Sequence, residues 1–331
     1  MSASSLDRKT KWDIVSEIPS LHGKVAIVTG ANSQTGIGYN VAQQLALKGA
    51  KVYVSARSLE KADNAIKQMK KDHPSLARND LLRPLALELG DLQNINAVAA
   101  KFAAEEQRLD VLVNNAALLA RPLDLDNNGI SVSFATNHLA PFRLTTALLP
   151  LLKKTAAEQH PGGVRIVNVG SDVHLKLPRG IQLNNIADFN QSCGNTDDPE
   201  SNLFRYALSK LANHIFSAEL QRRLDAEKAP IVTVSLHPGY VLTDGASRHI
   251  DKYHADIRES IVVRSLSPLD GALTAIFAAA HPEVWEKRDL YGGAYVEPYG
   301  RIEQSSEDAR DPVLAANLWK SSEEVLQSIG A

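Results

Sequence analysis

Cysteine is almost missing from this chain of 331 residues. Cys193 is the only one, so no internal disulfide framework can form and no cysteine-based zinc centre can be built. A reducing, intracellular setting fits. Net charge is also scarce: 36 Lys and Arg stand against 38 Asp and Glu, leaving −2 and no basic footprint for nucleic acid. No stretch approaches the roughly 18 to 20 apolar residues that span a bilayer. The opening "MSASSLDRKTKWDIVSEIPSLHGK" carries no apolar run of the signal-peptide kind. These absences predict a soluble, cytoplasmic chain with no membrane span, no bound metal and a small molecule as its partner.

What is present is a rhythm. Short β-branched runs recur: "KVAIVTG" (24–30), "KVYVSA" (51–56), "PLALEL" (84–89), "DVLVNNA" (110–116), "VRIVNVG" (164–170), "IVTVSLHPG" (231–239) and "GGAYVEP" (292–298). Most are apolar on consecutive residues, as in parallel strands buried on both faces. Helical patterns separate them at 36–49, 59–72, 91–107, 129–153, 205–228 and 269–280. "DPVLAANLWKSSEEVLQ" reads as a last amphipathic helix with Pro near its start. The alternation predicts an α/β single-domain Rossmann fold, a doubly wound seven-stranded parallel sheet with helices on both faces. An extension (1–20) would precede the domain (21–331). Two polar or mixed stretches, 172–204 and 244–268, break the rhythm and read as loop insertions over a ligand.

The first run leads into "TGANSQTGIG", at the strand-to-helix position where a dinucleotide loop belongs. Glycine there lets backbone approach a pyrophosphate, and free N–H groups at the helix start face the anion. Gly30, Asn32, Ser33, Thr35, Gly36, Ile37 and Gly38 are the candidate contacts. A tight turn with no ligand would use the same residues. Cofactor choice is read at the end of the second run. A carboxylate there binds the ribose of NAD; Arg accommodates the 2′-phosphate of NADP. Ala56 occupies the carboxylate position, and Arg57 and Ser58 follow, which favours NADP(H) over NAD(H). A solvated surface Arg is the plain alternative.

"RYALSKLAN" sets Tyr206 and Lys210 four apart, one turn apart on a helix. An ammonium beside a phenol favours the phenolate and lowers its pKa, making a proton-transfer unit. An amphipathic helix with a buried Tyr and a surface Lys would share this spacing. Ser171, Asn114, Asn115 and "HPGYVLT" all fall at the same predicted strand ends, where α/β folds bind ligands.

With "TGANSQTGIG", "NNAA", "NHLAPF", "GSDVH", "RYALSKLAN", "HPGYVLT" and "LWKSSEE" in view, residues 20 to 325 resemble the short-chain dehydrogenase/reductase superfamily. Among its members the chain looks most like the retinol-dehydrogenase-like branch, including fungal members. The resemblance implies Tyr206 as general acid or base and Lys210 on the nicotinamide ribose, lowering the tyrosine's pKa. It implies Ser171 on the substrate oxygen. Asn137 is the helix asparagine whose backbone orders a relay water. Asn115, with Ala116 and Ala117, supports the adenosine side. Pro238, Gly239, Val241 and Thr243 shape the nicotinamide loop, Thr243 touching the carboxamide. The adenine-contacting carboxylate becomes Glu88, beside Leu89, with Asp91 as its rival.

The implied activity is NADP(H)-dependent transfer of hydride to or from a moderately hydrophobic ketone, aldehyde or alcohol, secondary metabolites included. Leu118, Val173, His174, Phe204 and Tyr240 are guessed to line the pocket, His174 equally readable as a structural residue bonded to the loop backbone. Alternatives are an NAD-dependent alcohol dehydrogenase, a silent dinucleotide sensor, and a non-redox lyase or isomerase. The family often forms dimers or tetramers through two long helices, here 129–153 and 205–228. The branch would read "TGANTGIG", so two residues are added near Ser33 and Gln34. They are expected beside the adenosine ribose, where Ser33 would supplement Arg57.

Overall fold

The computed structural model describes residues 11–158, 162–195, 197–253 and 255–331. Half of the expected N-terminal extension (1–10) lies outside the described residues. The runs form β1 (Val25–Val28), β2 (Lys51–Ala56), β3 (Leu82–Ala86), β4 (Val111–Asn114), β5 (Val164–Val169), β6 (Ile231–Leu236) and β7 (Tyr295–Glu297). They are parallel neighbours in the order β3-β2-β1-β4-β5-β6-β7. Consecutive apolar residues have the expected cause. In β1, Val25 and Ile27 pack into one core cluster while Ala26 and Val28 pack into the other.

The sheet has eight strands rather than the seven expected. β8 (Arg301–Glu303) returns antiparallel to β7 at the edge. Gly300, at φ +91°, makes the reversal possible, and its N–H donates to Glu297 O at 2.9 Å. Three half-buried residues, two of them charged, gave no strand signal.

Among the described residues the longer helices are α1 (Ile37–Leu47), α2 (Leu59–Asp72), α3 (Ile95–Glu105), α4 (Ala140–Ala157), α5 (Pro199–Ala226), α6 (Asp244–Tyr253), α7 (Pro268–Ala280) and α8 (Pro312–Ser328), and all but α6 set the two layers. Helices α3, α4, α5 and α8 fill one face and α1, α2 and α7 the other. Truncating a fully buried contact such as Leu112 to Ala would cost about 2–5 kcal/mol. Trp319 of α8 meets Phe142 of α4 and Phe216 of α5 with ring centres 4.9 and 5.9 Å apart. The chain's own last helix therefore covers part of the two long helices.

Helix starts follow local chemistry. Asp198 accepts from the N–H groups of Glu200 and Ser201, and Pro199 takes the first helical position, so α5 begins six residues before the expected 205. The helix expected at 129–153 starts at Val132, passes through a π-helical turn (Ala135–Leu139) and continues as α4. The 172–204 stretch holds a 3₁₀ turn (Asp172–Lys176), one turn of helix (Ile186–Phe189) and the start of α5. The 244–268 stretch is mostly helical, α6 followed by Arg258–Arg264, not loop. Its polarity reflects exposure: Ile250 is the buried residue of α6.

Candidate active site

Strands β1, β4, β5 and β6 end together, and the strand order reverses between β1 and β4, the position where doubly wound sheets bind ligands. Thr29 just past β1 holds the first loop. Its Oγ1 accepts from the N–H groups of Asn115 (3.0 Å) and Ala116 (3.1 Å). The Asn115 amide donates to Thr29 O at 2.8 Å and Gly30 O at 3.3 Å. Gly30 has φ +65°, and a Cβ on it would lie 2.9 Å from Ala116 Cα. A Cβ on Gly38 would lie 2.4 Å from the Asn115 amide nitrogen, and one on Gly36 would lie 2.9 Å from Ser33 O. Gly36 begins α1 and gives its first turn no side-chain cap. A tight turn backed by Asn115 and an uncapped helix start fit the phosphates of a dinucleotide.

Residues 33–35 tie the loop to distant segments. Ser33 and Thr35 donate to the Asp244 carboxylate at 2.6 and 2.7 Å. The Gln34 amide donates to Asp72, at the end of α2, at 3.1 Å. Ser33 thus engages Asp244 instead of standing free to supplement Arg57. Asn32 is exposed. The Asp244 carboxyl is held below its ordinary pKa by the hydroxyls of Ser33, first, and Thr35.

At the end of β2, Ala56 is buried, Arg57 is exposed, and no carboxylate occupies the turn. Ser58 caps α2, accepting from Lys61 N–H at 3.3 Å. Strand β3 stops at Ala86, three residues before the expected end, leaving Glu88 exposed and Leu89 buried. Glu88 accepts from Gly90 N–H at 3.1 Å, and Asp91 accepts from Asn94 N–H at 3.2 Å, so both rivals for the adenine contact bond within their own turn. Ala117 is exposed.

Ser171 follows β5. Its Oγ accepts from Val173 N–H at 3.3 Å and donates to Asp172 Oδ1 at 3.2 Å. Lys210 is 2% exposed and donates to Val169 O, two residues before Ser171, at 2.7 Å. Its ammonium lies 5.5 Å from the centre of the Tyr206 ring. The spacing read from sequence does place both on one face of α5. Asn137, in the π-helical turn, clamps the β4 loop: its Oδ1 accepts from Leu118 N–H at 2.7 Å and its amide donates to Leu118 O at 2.9 Å. That amide also lies 2.9 Å from Ser209 Oγ, and the Asn137 backbone carbonyl accepts from Asn213 at 2.8 Å. A π-turn at a functional position is a recurring device.

One electrostatic expectation is corrected. The net shift of Tyr206 runs upward, opposite to the expected lowering. Burial pulls the Lys210 ammonium down to about 7. Burial, then the Asp172 carboxylate, pushes the Tyr206 phenol well above its ordinary value. Both groups lose hydration, which favours both neutral forms.

The third loop is shaped by close packing. Pro238 is buried, and Gly239 has φ +85° with Leu266 Cδ1 2.5 Å from where a Cβ would stand. Val241 bridges to Leu266 and packs on Gly271. Thr243 Oγ1 accepts from Ala246 N–H at 3.2 Å at the head of α6. Tyr240, 60% exposed, donates to Asp172 Oδ2 at 2.9 Å, and His237 Nδ1 lies 3.4 Å from the other oxygen. Asp172 was passed over in the sequence, although it directly follows Ser171. His174 does not line a pocket. It is fully buried, with Nδ1 2.7 Å from Ser171 O and Nε2 accepting from Ser306 N–H at 3.4 Å. Val173 is buried as well and Phe204 packs on the core, which leaves Leu118 and Tyr240 of the guessed lining.

Comparison with known proteins agrees with this geometry. Residues 24–180 match the family model for short chain dehydrogenase. A short chain dehydrogenase/reductase of Colletotrichum higginsianum is 38% identical over 97% of this chain and 79% of its own length. An uncharacterized protein of Mycobacterium paratuberculosis, known as a crystal structure, is 30% identical with TM-score 0.69, covering 96% of this chain and 98% of that one. The Pseudomonas aeruginosa RhlG/NADP active-site complex shares the fold at TM-score 0.60 and 24% identity, covering 85% and 96% of the two chains. The chain belongs to the short-chain dehydrogenase/reductase superfamily.

Proposed function

We propose that this protein is an NADP(H)-dependent oxidoreductase acting on the C=O or CH–OH group of a small, moderately hydrophobic molecule. Bound NADP(H) supplies the redox chemistry, exchanging hydride with a carbon that bears oxygen. The chain supplies position and protons. Gly30, Gly36 and Gly38 admit the phosphates to the start of α1, with Asn115 behind them. Arg57, with no carboxylate at Ala56, accepts a 2′-phosphate that an acidic residue would repel. Lys210, one turn from Tyr206, holds the nicotinamide ribose; Thr243 and the Gly239 turn cover the ring. Ser171 donates to the substrate oxygen, and Tyr206 gives that oxygen its proton or removes it.

The observation that carries this reading is the Lys210–Val169 hydrogen bond of 2.7 Å, which docks the Tyr206 helix onto the strand end bearing Ser171. The direction of the Tyr206 shift supports reduction, because a phenol that keeps its proton at neutral pH is ready as a general acid. The exposed side chain of Leu175, in the turn after Ser171, and the exposed ring of Tyr240 suit a hydrophobic substrate. NADPH and NADH consumption across a panel of ketones and aldehydes tests the proposal. Carbonyl-dependent loss of NADPH absorbance is expected, faster than that of NADH. Binding of NADPH with no consumption across the panel would favour a sensor, and product without cofactor consumption a non-redox reaction.

A further inference from the structure

The site above uses the end of the sheet where strands finish. At the other end, where they begin, lies a cavity of about 580 Å³. Strands of four to six residues, at about 3.3 Å each, separate the two by roughly 13–20 Å. Leu21, Val111, Ala280 and Trp285 give the cavity apolar walls, and Lys24, Arg108 and Glu286 give it charge.

Two of its neighbouring cations meet at the buried Asp110. Arg108 grips the buried Asp110 with two hydrogen bonds of 2.8 and 2.7 Å, and Lys24 lies 3.8 Å from the same group. A third cation has no carboxylate partner among the described residues. Arg165 stands opposite Val111 in the β4–β5 register, so its side chain leaves the sheet on the face that the cavity-lining Val111 uses. Arg165 is 1% exposed, and its Nε and Nη1 have no hydrogen-bond partner among the described residues. Its guanidinium lies 5.2 Å from the centre of the Trp285 ring, which forms part of the cavity wall.

A buried charge is costly unless paired. Burial lowers the Arg165 pKa only to about 9, so the group stays charged at neutral pH. Burial also lowers the Lys24 pKa, Asp110 raises it in part, and Arg165 and Arg108 beside it lower it further. An anion in the cavity would relieve this cluster. An aromatic wall beside a cation selects a flat, apolar body for that anion.

We propose that this cavity binds a small organic carboxylate with a flat apolar body. Lys24 meets the carboxylate, Trp285 packs on the body, and Arg165 behind the wall supplies unpaired positive charge. The site is independent of the redox reading, and either can fail alone.

The test is a heat titration of the full chain with 2-naphthoate, with 2-naphthamide as its neutral match and 2-naphthyl phosphate as the dianionic one. Saturable 2-naphthoate binding is expected, with the amide weaker by about tenfold or more, the size of a lost charge-assisted hydrogen bond. Lys24→Met should weaken binding to a similar extent while Lys24→Arg retains it. Ala280→Trp, shown to be folded by its melting curve, should abolish binding by filling the space. Quenching of tryptophan fluorescence by the probe should disappear in Trp285→Phe. No saturable binding at millimolar 2-naphthoate overturns the proposal. So does an amide as tight as the acid, or wild-type binding in Lys24→Met and Ala280→Trp. Tighter binding of the phosphate than of the carboxylate overturns the ligand class.

Discussion

The Ser33 hydroxyl donates to the Asp244 carboxylate across 2.6 Å, joining loops 211 positions apart in sequence. With Thr35 on the other oxygen, this clasp ties the glycine loop to the head of α6. Ser33 and Thr35 of the glycine loop therefore reach the segment after Thr243. It also places a negative charge next to a loop shaped for phosphates. Asp244→Asn keeps an acceptor for one hydroxyl and removes the charge. NADPH affinity should rise by roughly threefold at low salt, as for a partly exposed charge, and the gain should shrink at high salt. A fluorescence titration at two ionic strengths measures it; weaker binding in the variant would mean that the clasp organises the loop instead.

Removing one oxygen tests the proton donor. Tyr206→Phe should lower kcat by about a hundredfold or more, the scale of general acid catalysis, while NADPH binding stays near wild type. Steady-state rates and a binding titration separate the two effects. Near-normal turnover would sink the mechanism.

The proposed preference for NADP(H) rests on one exposed guanidinium. Arg57→Ala should weaken NADPH by about tenfold or more, as one charge-assisted phosphate contact is worth, and leave NADH nearly unchanged. KM for both cofactors, measured side by side, decides the matter. Equal losses would place the selectivity elsewhere.

The carboxylate after Ser171 has an electrostatic role in the same site. Asp172 pushes the Tyr206 phenol up. In Asp172→Asn the pH profile for alcohol oxidation, which needs the phenolate, should shift toward lower pH. An unmoved profile would show that burial alone sets this pKa. Because Tyr240 and Ser171 both donate to Asp172, the KM for substrate is read in the same experiment.

Several buried histidines predict acid sensitivity. Burial lowers His138 to about 3 and also pulls down His174, His214 and His237. Unfolded, each would take a proton near pH 6.5. Between these values the unfolded chain holds more protons than the folded one, so stability present above pH 6.5 is lost as pH falls. The loss approaches about 1.4 kcal/mol per pH unit for each such histidine. Melting temperatures from about pH 7.5 to about pH 5 should fall, and less steeply in His138→Gln. A flat series would mean these rings take protons without unfolding.

Much of the fold was legible in the chain. Consecutive β-branched residues marked parallel strands because both faces of the sheet are covered. Tyr206 and Lys210 could be paired from spacing alone because a helix fixes which residues share a face. Edges and caps were less visible. Strand β8 is three residues long, half-buried and mostly charged, so no pattern announced it. The start of α5 was hidden in a polar stretch, although Asp198–Pro199 is a helix-start signal. The exposed helices of 244–268 bury little and so showed no apolar stripe.

Local chemistry is what the sequence determined by itself: the strand-helix alternation, the glycine turn, the bare Ala56–Arg57 corner and the one-turn spacing on α5. Each depends on residues close together in the chain, where backbone geometry leaves few choices. Only the tertiary structure decided which distant groups meet. It set Asp244 on Ser33, Asp172 between Ser171 and Tyr240, and His174 on backbone instead of substrate. It also gave the direction of the Tyr206 and Lys210 shifts, because burial, the first cause for both groups, is a property of the packed molecule and not of their spacing.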